Sequence, residues 1–360
     1  NLWKILEEKK FIYLSKYTGW YSVSDEAFYA ESEIIEKDKI KLCEATGSAV
    51  EWVEEESYFF KLSKFQNLLI KHYEDNPDFI QPASRRNEVM SFVKGGLKDL
   101  SISRNSFKWG ISVPNSKDHI IYVWLDALTN YLTATNYFDE NSFWPADVHI
   151  IGKDILRFHA VYWPAFLLAA EIPLPKKIFG HGWILSGDEK MSKSKYNVQT
   201  PDNLVEDFGA DTLRLYEMFL GPLEQFKPWD VKGINGVHNF LRKFWRLVND
   251  TENNFSVSEE TPTKDNYKTL HKTIKKVEEE IERYSFNTVV STFMICINEL
   301  TEQKCSNREI ISDFTILLSS YAPHISEEIW QKLGNENSVS KANFPTFNAS
   351  YLVENEVNYP

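Results

Sequence analysis

Cysteine is scarce here: Cys43, Cys296 and Cys305 are the only three in 360 residues, and no two stand at the C-x-x-C spacing of a thiolate metal site. That scarcity excludes a disulfide framework and fits a reducing, cytoplasmic compartment. Long apolar runs are missing as well. None approaches the roughly 18 residues of a membrane-spanning helix, so no membrane partner is expected. Positive charge is in deficit, with 40 Lys and Arg against 52 Asp and Glu and a formal net charge of −12. Bulk charge therefore gives no adhesion to nucleic acid, and DNA is not an expected partner. A local basic face stays open, because phosphate contacts act within a Debye length. An initiator Met is absent too. The opening "NLWKILEEKKFIYL" reads as an amphipathic helix, without the apolar core and cleavage site of a signal peptide. A chain that begins inside such a pattern reads as a fragment.

What is present is rich in rings. Aromatic residues make up 14% of the chain, with 11 Trp, and 42% of it is hydrophobic, enough for two or three packed domains and ring-lined pockets. Residues 1 to about 85 mix short strands and turns, and "GWYSVSDEAFYAESEII" alternates before a break at Gly47, as in a small β-rich insertion. A helix over "NEVMSFVKGGL" follows. Two strand-to-helix transitions come next, "HIIYVWLDALTNYLTA" and "DVHIIGKDILRFHAVYWPAFLLAA", and "KKIFGHGWI" supplies one more strand. This is the βα rhythm of a parallel sheet, whose ligands sit beyond the carboxyl ends of the strands. After residue 200 the pattern becomes helical. Leu270, Ile274, Val277 and Ile281 keep a 3-4 spacing, as do Phe286, Val289, Phe293, Ile297 and Leu300. Ile311, Phe314 and Leu318 continue it, and Gly334 closes a last helix. These stripes predict a helical bundle, with "NDTENNFSVSEETPTKDN" as an exposed connection.

One short stretch stands out. "GDEKMSKSKYN" packs three lysines into six positions of an acidic chain. Such a segment is either a solvated loop or a group of mobile cations that meets a polyphosphate. Ammonium groups that close on a departing diphosphate only as its charge develops would lower a barrier differentially. Lys190 and Lys193 are the catalytic candidates, with Lys193 expected to matter more.

The surroundings decide the matter. "KMSKS" resembles the lysine-loop signature of class I aminoacyl-tRNA synthetases. "YTGWYSVSDEAFY", "GLKDLSISR", "FKWGISVP", "YVWLDALTNYL" and "IIGKDILRFHAVYWPAFLLAA" resemble the methionyl-tRNA synthetase family, in the right order, over about residues 1–195. That resemblance implies an α/β fold: the second half of a Rossmann-like parallel-sheet catalytic domain with part of a β-rich insertion, followed by an all-α anticodon-binding bundle. The implied divisions are a partial insertion domain over 1–88, the catalytic half over 89–195, a linking helical segment over 196–235 and a tRNA-binding bundle over 236–360. Implied partners are methionine, ATP with Mg2+, and tRNA.

By the family's pattern Trp124, Ala127, Tyr131, Phe158, His159 and Trp163 line the methionine pocket. A polarizable thioether gains from aromatic contact, though taken alone these rings also suit a sheet–helix core. His159 is a neutral donor candidate there, and no partner residue at ligand spacing makes it a metal ligand. Gly152, Asp154, His181, Gly182, Trp183, Met191, Ser192, Lys193 and Ser194 fall on the ATP side. Asp154 has a second reading as a helix N-cap, and the glycines of "FGHGW" either turn the chain or permit close backbone approach. The family often carries a zinc knuckle in its insertion. Here only Cys43 remains in that region, so no zinc is expected.

Two departures accompany the resemblance. The His-x-Gly-His signature that binds ATP phosphates occurs nowhere in the 360 residues. It is expected upstream, and the chain alone is not expected to form adenylate. Beyond about residue 195, "FGADTLRLYEMFLGPLEQFKPWDVKGINGVHNFLRKFWRLV" and "YAPHISEEIWQKLG" resemble leucyl-tRNA synthetase. That implies a possible chimera and leucine with its tRNA as the alternative substrates. A non-catalytic tRNA-binding module is the reading of another class. In "HNFLRKFWRLV", Arg242, Lys243 and Arg246 are expected to face tRNA phosphates while Phe240, Phe244 and Trp245 pack inward.

Overall fold

A computed structural model describes residues 1–353 apart from positions 26, 30, 38, 39, 45, 107, 140, 141 and 192–195. Its backbone contacts divide the chain into two units, residues 1–181 and 182–360.

The first unit opens with α1 (Leu2–Glu8), which buries Leu2, Trp3 and Leu6. The expected opening helix is shorter than "NLWKILEEKKFIYL": Lys10 turns at φ +60, and β1 (Ile12–Ser22) begins two residues later. Pairing overrides the helical pattern there. β1 runs antiparallel to β5 over a register from Ile12↔Phe60 to Tyr21↔Glu51. Between them lie β2 (Ala27–Tyr29), β3 (Ile34–Lys37) and β4 (Ile40–Cys43), and β5 spans Glu51–Phe60. The Asp25 carboxylate ties this β-rich part together, accepting from Tyr29, Thr46 and Ser48 hydroxyls at 2.6–2.8 Å. Burial raises the Asp25 pKa, but these hydrogen bonds outweigh it and hold the carboxyl below its usual range.

Then come α2 (Gln66–Asp75), β6 (Ile80–Gln81), α3 (Ala83–Lys94), β7 (Leu100–Ser101), β8 (Ser103–Arg104), β9 (Ile120–Ile121) and α4 (Val123–Ala134). β10 (His149–Gly152) leads through a π-helical turn at Phe158–Tyr162 into α5 (Trp163–Ala170), and β11 (Ile178–His181) ends the unit. β10, β11 and β6 form a parallel sheet with β11 in the middle. Only one of the two expected strand-to-helix transitions belongs to it, since β9 pairs antiparallel with β8. One core joins these layers, with Trp163, Phe60, Phe166 and Tyr73 among its fully buried side chains. Burying each such ring removes it from water for about 1.5–3 kcal/mol.

In the second unit, β12 (Ile184–Ser186) and β13 (Glu189–Lys190) form a hairpin. Helices α6 (Pro201–Phe208) and α7 (Ala210–Phe219) break at Gly209, where φ is +85. β14 (Lys227–Pro228) returns parallel to β12, and five helices follow: α8 (Ile234–Leu247), α9 (Lys264–Glu282), α10 (Phe286–Glu302), α11 (Arg308–Leu318) and α12 (Pro323–Lys332). The expected stripes form their core. Leu270, Ile274, Val277, Val289, Phe293, Ile297, Leu300, Ile311, Phe314 and Leu318 are all buried, while Ile281 and Phe286 lie at its edge. Asp211 of α7 accepts from the backbone N–H groups of His324 and Ile325, capping α12 from a neighbouring helix. Among the described residues no helix is long and apolar enough to cross a membrane.

Candidate functional site

Helix α4 carries two stripes. Leu125, Leu128 and Leu132 are buried in the core. One position round, Trp124, Ala127 and Tyr131 share a second face through their 3-4 spacing, and that face stays partly open. The segment after β10 meets it. The Phe158 ring lies flat on Trp124, with centroids 3.7 Å apart and planes 8° from parallel. One residue on, His159 Nε2 accepts from the Tyr131 hydroxyl at 2.9 Å. Its Nδ1–H donates to the Ile155 carbonyl at 3.0 Å. Burial holds the His159 pKa below its ordinary value, although the Ile155 bond works against that, so the ring is neutral. The expected donor role in the pocket is therefore corrected. The single N–H of a neutral imidazole is spent on the backbone, and His159 presents an acceptor. Trp163 stands behind, fully buried and 6.2 Å from the Tyr131 ring.

The six residues expected to line an amino-acid pocket thus come from α4, the π-helical turn and the start of α5, and the five that carry rings are in ring contact. His149, which sequence reasoning passed over, joins them. Its ring lies 4.3 Å from Tyr131 and 6.0 Å from His159. Periodicity could not find it, because a His that begins a β-strand looks like any strand residue.

On the other expected flank, Gly152 and His181 are register partners at the carboxyl ends of β10 and β11. The Asp154 Oδ1 folds back to 2.6 Å from where a Cβ on Gly152 would stand, so a larger residue there would push the Asp154 carboxylate aside. Gly152, not Asp154, occupies the N-cap position of the turn at Lys153–Ile155.

Gly182 and Trp183 open the second unit. A Cβ on Gly182 would lie 2.2 Å from the Gln225 carbonyl oxygen. The close backbone approach expected at this glycine is made by the chain's own 223–227 segment, which also pairs through Gly182 N to Leu223 O and Lys227 N to Trp183 O. Phe226 stacks on Trp183 at 5.6 Å, and the Lys190 ammonium sits 4.4 Å from the Trp183 centroid. The β12–β13 ladder pins the Lys190 backbone opposite Leu185. Met191 Sδ accepts from Gln199 N at 3.4 Å. Ser192, Lys193 and Ser194 lie outside the described residues.

The basic helix face divides. Phe240 and Phe244 are buried as expected, while Arg242 and Arg246 line a groove of about 990 Å³ together with Trp245, His238 and His324. Trp245 is only partly buried, and its indole N–H is held by Asn253. Lys243 does not join the groove. Its ammonium donates to Asn298 Oδ1 at 2.6 Å, which corrects the expectation that all three cations face one ligand.

Residues 1–232 match the family described as tRNA synthetases class I (M), and residues 264–359 match the anticodon-binding domain of tRNA ligase. The methionine–tRNA ligase of Rhizobium meliloti is 58% identical over 221 residues, 60% of this chain and 43% of that protein. That of Rickettsia bellii is 59% identical over 220 residues, 60% of this chain and 42% of its own length. The chain thus aligns with less than half the length of these curated relatives. A structure of Mycobacterium tuberculosis methionyl-tRNA synthetase with methionyl-adenylate is similar with a TM-score of 0.79 at 36% identity, over 91% of this chain and 72% of that one. Its free-state counterpart gives 0.76 at 34%, covering 91% and 73%. The expected switch to a leucyl-type chain near residue 195 finds no support, because the M-type match runs on to residue 232.

Proposed function

Because the chain belongs to the class I tRNA synthetases of the M type, we propose that the protein activates methionine with ATP and transfers it to its tRNA. The observation that carries the reading is the wall of Trp124, Phe158, Tyr131 and His159. Flat, uncharged rings suit an uncharged thioether, and each good sulfur–aromatic contact contributes roughly 0.3–1.5 kcal/mol. Ala127, between Trp124 and Tyr131 on the same helix face, leaves room for the side chain.

In the proposed reaction the methionine carboxylate attacks the α-phosphate of ATP and diphosphate leaves with magnesium as part of the substrate. Gly152, Asp154, His181, Gly182, Trp183, Met191, Ser192 and Ser194 serve the nucleotide. Lys190 and Lys193 offset the charge that gathers on diphosphate. Lys190 reaches it by leaving the Trp183 face, since its backbone is fixed and its four-carbon stem is not. A ribose hydroxyl at the end of the tRNA then takes the acyl group and AMP departs. A reducing cytoplasm would suit three buried thiols.

Pyrophosphate exchange, run with methionine and leucine in parallel, tests the reading. In protein that also carries a His-x-Gly-His segment, methionine-dependent exchange is expected, and Lys190→Ala lowers its rate on the order of 10²-fold, as for loss of one transition-state donor. Exchange with leucine alone would defeat the proposal. No exchange beside intact tRNA binding would favour a binding module, a reading that rests on the absence of His-x-Gly-His from residues 1–360.

We further place tRNA phosphates along the Arg242–Arg246 groove. Removing either arginine is expected to flatten the dependence of log Kobs on log salt by about one unit, whereas Lys243→Ala leaves the slope alone. Filter binding at several salt concentrations reads this directly. Equal slopes for the three variants would end the assignment.

A further inference from the structure

His149 is 5% exposed, stands at the start of β10, and leaves its Nε2 buried without a hydrogen-bond partner. The strand register opposite Ile178 fixes its backbone, and its N–H is spent on the Lys177 carbonyl. The side chain is enclosed by Tyr131 at 4.3 Å, Trp144 at 6.0 Å and His159 at 6.0 Å. Trp144 is itself anchored, its indole donating to the Pro173 carbonyl. In the same cluster Trp163, fully buried, leaves its Nε1–H without a partner. It lies 5.8 Å from Trp144 and 6.2 Å from Tyr131.

A bare imidazole nitrogen and a bare indole N–H therefore share one buried ring cluster. Each unsatisfied buried group costs about 1–3 kcal/mol, and buried polar groups without partners are rare in folded proteins. A leucine or phenylalanine at either position would fill the space at no such cost. The neighbours explain the placement. The Tyr131 hydroxyl is committed to His159 Nε2, and His159 is committed to the Ile155 carbonyl, so neither can serve His149 while the wall keeps this arrangement. A ligand pressing on Tyr131 or Trp163 would change which donors point at the His149 nitrogen.

We propose that His149 is a positioning residue of the amino-acid pocket: it seats the Tyr131 ring, and its Nε2 takes a hydrogen bond from the Tyr131–Trp163 wall when substrate fills the pocket. The inference rests on the methionine reading and extends it to a residue that never touches substrate.

Nitrogen-15 NMR of the histidine side chains, with methionine titrated into the intact chain and the His149 ring signal assigned by through-bond correlation to its own backbone, tests it. The unprotonated Nε2 of a free imidazole resonates far downfield and moves upfield on accepting a hydrogen bond. The expected result is an upfield move of the His149 Nε2 signal that saturates with methionine binding. His149→Phe, which removes the unpartnered nitrogen, is expected to weaken methionine binding about tenfold, or roughly 1.4 kcal/mol, while its unfolding midpoint at pH 7 is no lower than that of the wild type. Methionine binding that leaves the Nε2 signal in place would overturn the proposal even if the variant fails to fold. Wild-type protein that binds tRNA and no methionine would remove the parent reading, and this inference with it.

Discussion

Replacing Gly182 by alanine is expected to lower the unfolding midpoint of the 182–360 unit by about 10 °C, corresponding to roughly 3 kcal/mol. The added Cβ would stand 2.2 Å from the Gln225 carbonyl oxygen and 2.5 Å from its carbon. Backbone on the far side cannot swing away as a flexible side chain would. The 223–227 segment is tied to residues 182–185 by the Gly182–Leu223 and Lys227–Trp183 hydrogen bonds and by the β12–β14 pairing. Relief of the clash therefore breaks that ladder and separates Phe226 from Trp183. Gly180→Ala supplies the control, because its Cβ would meet only side-chain atoms, at 3.4 Å or more. Calorimetry of the two variants checks the contrast; equal midpoints would refute it.

Acid is the second strong lever, and His149 is the group that feels it. Burial, aided by the neighbouring His159, pushes its pKa down to about 4 from an ordinary 6.5. A histidine whose folded pKa is depressed binds protons more readily once the chain unfolds. Its contribution is complete above pH 6.5 and is lost as pH falls from 6.5 toward 4. The linkage amounts to about 3 kcal/mol across that window. Urea unfolding at pH 7 and pH 4.5 should accordingly show a steeper acid loss for wild type than for His149→Phe, which cannot titrate there. Parallel losses would mean that the ring is hydrated and charges freely.

Much of this architecture was legible in the residues. The helical bundle could be read because 3-4 stripes such as Leu270–Ile274–Val277 have no other economical use, and they form the core that the pattern implies. The β-rich beginning was legible from its alternation, except where β1 claims residues that read as helix. A partner strand, Phe60 opposite Ile12 and Tyr58 opposite Leu14, settled that, and no local pattern contains it. β9 misled in the same way: its apolar pair looks like a parallel strand, yet Ser103 and Arg104 take it antiparallel. At the candidate site the ring stripe on α4 could be counted off. The direction of the His159 hydrogen bond could not, since it depends on a carbonyl one turn back. Lys243 shows the limit of reading a helix face. Its spacing puts it with Arg242 and Arg246, and an asparagine on α10 draws it away.

The π-helical turn at Phe158–Tyr162 has a last implication. Adjacent residues 158 and 159 serve partners two helical turns apart on α4, Trp124 and Tyr131. A wider turn offsets successive side chains by less than the usual 100°. The span between β10 and α5 is thus metered by how many residues it holds, more than by which ones. Conservative exchanges there would adjust the bore of the cavity, while a one-residue deletion that tightened the coil would unseat both contacts together.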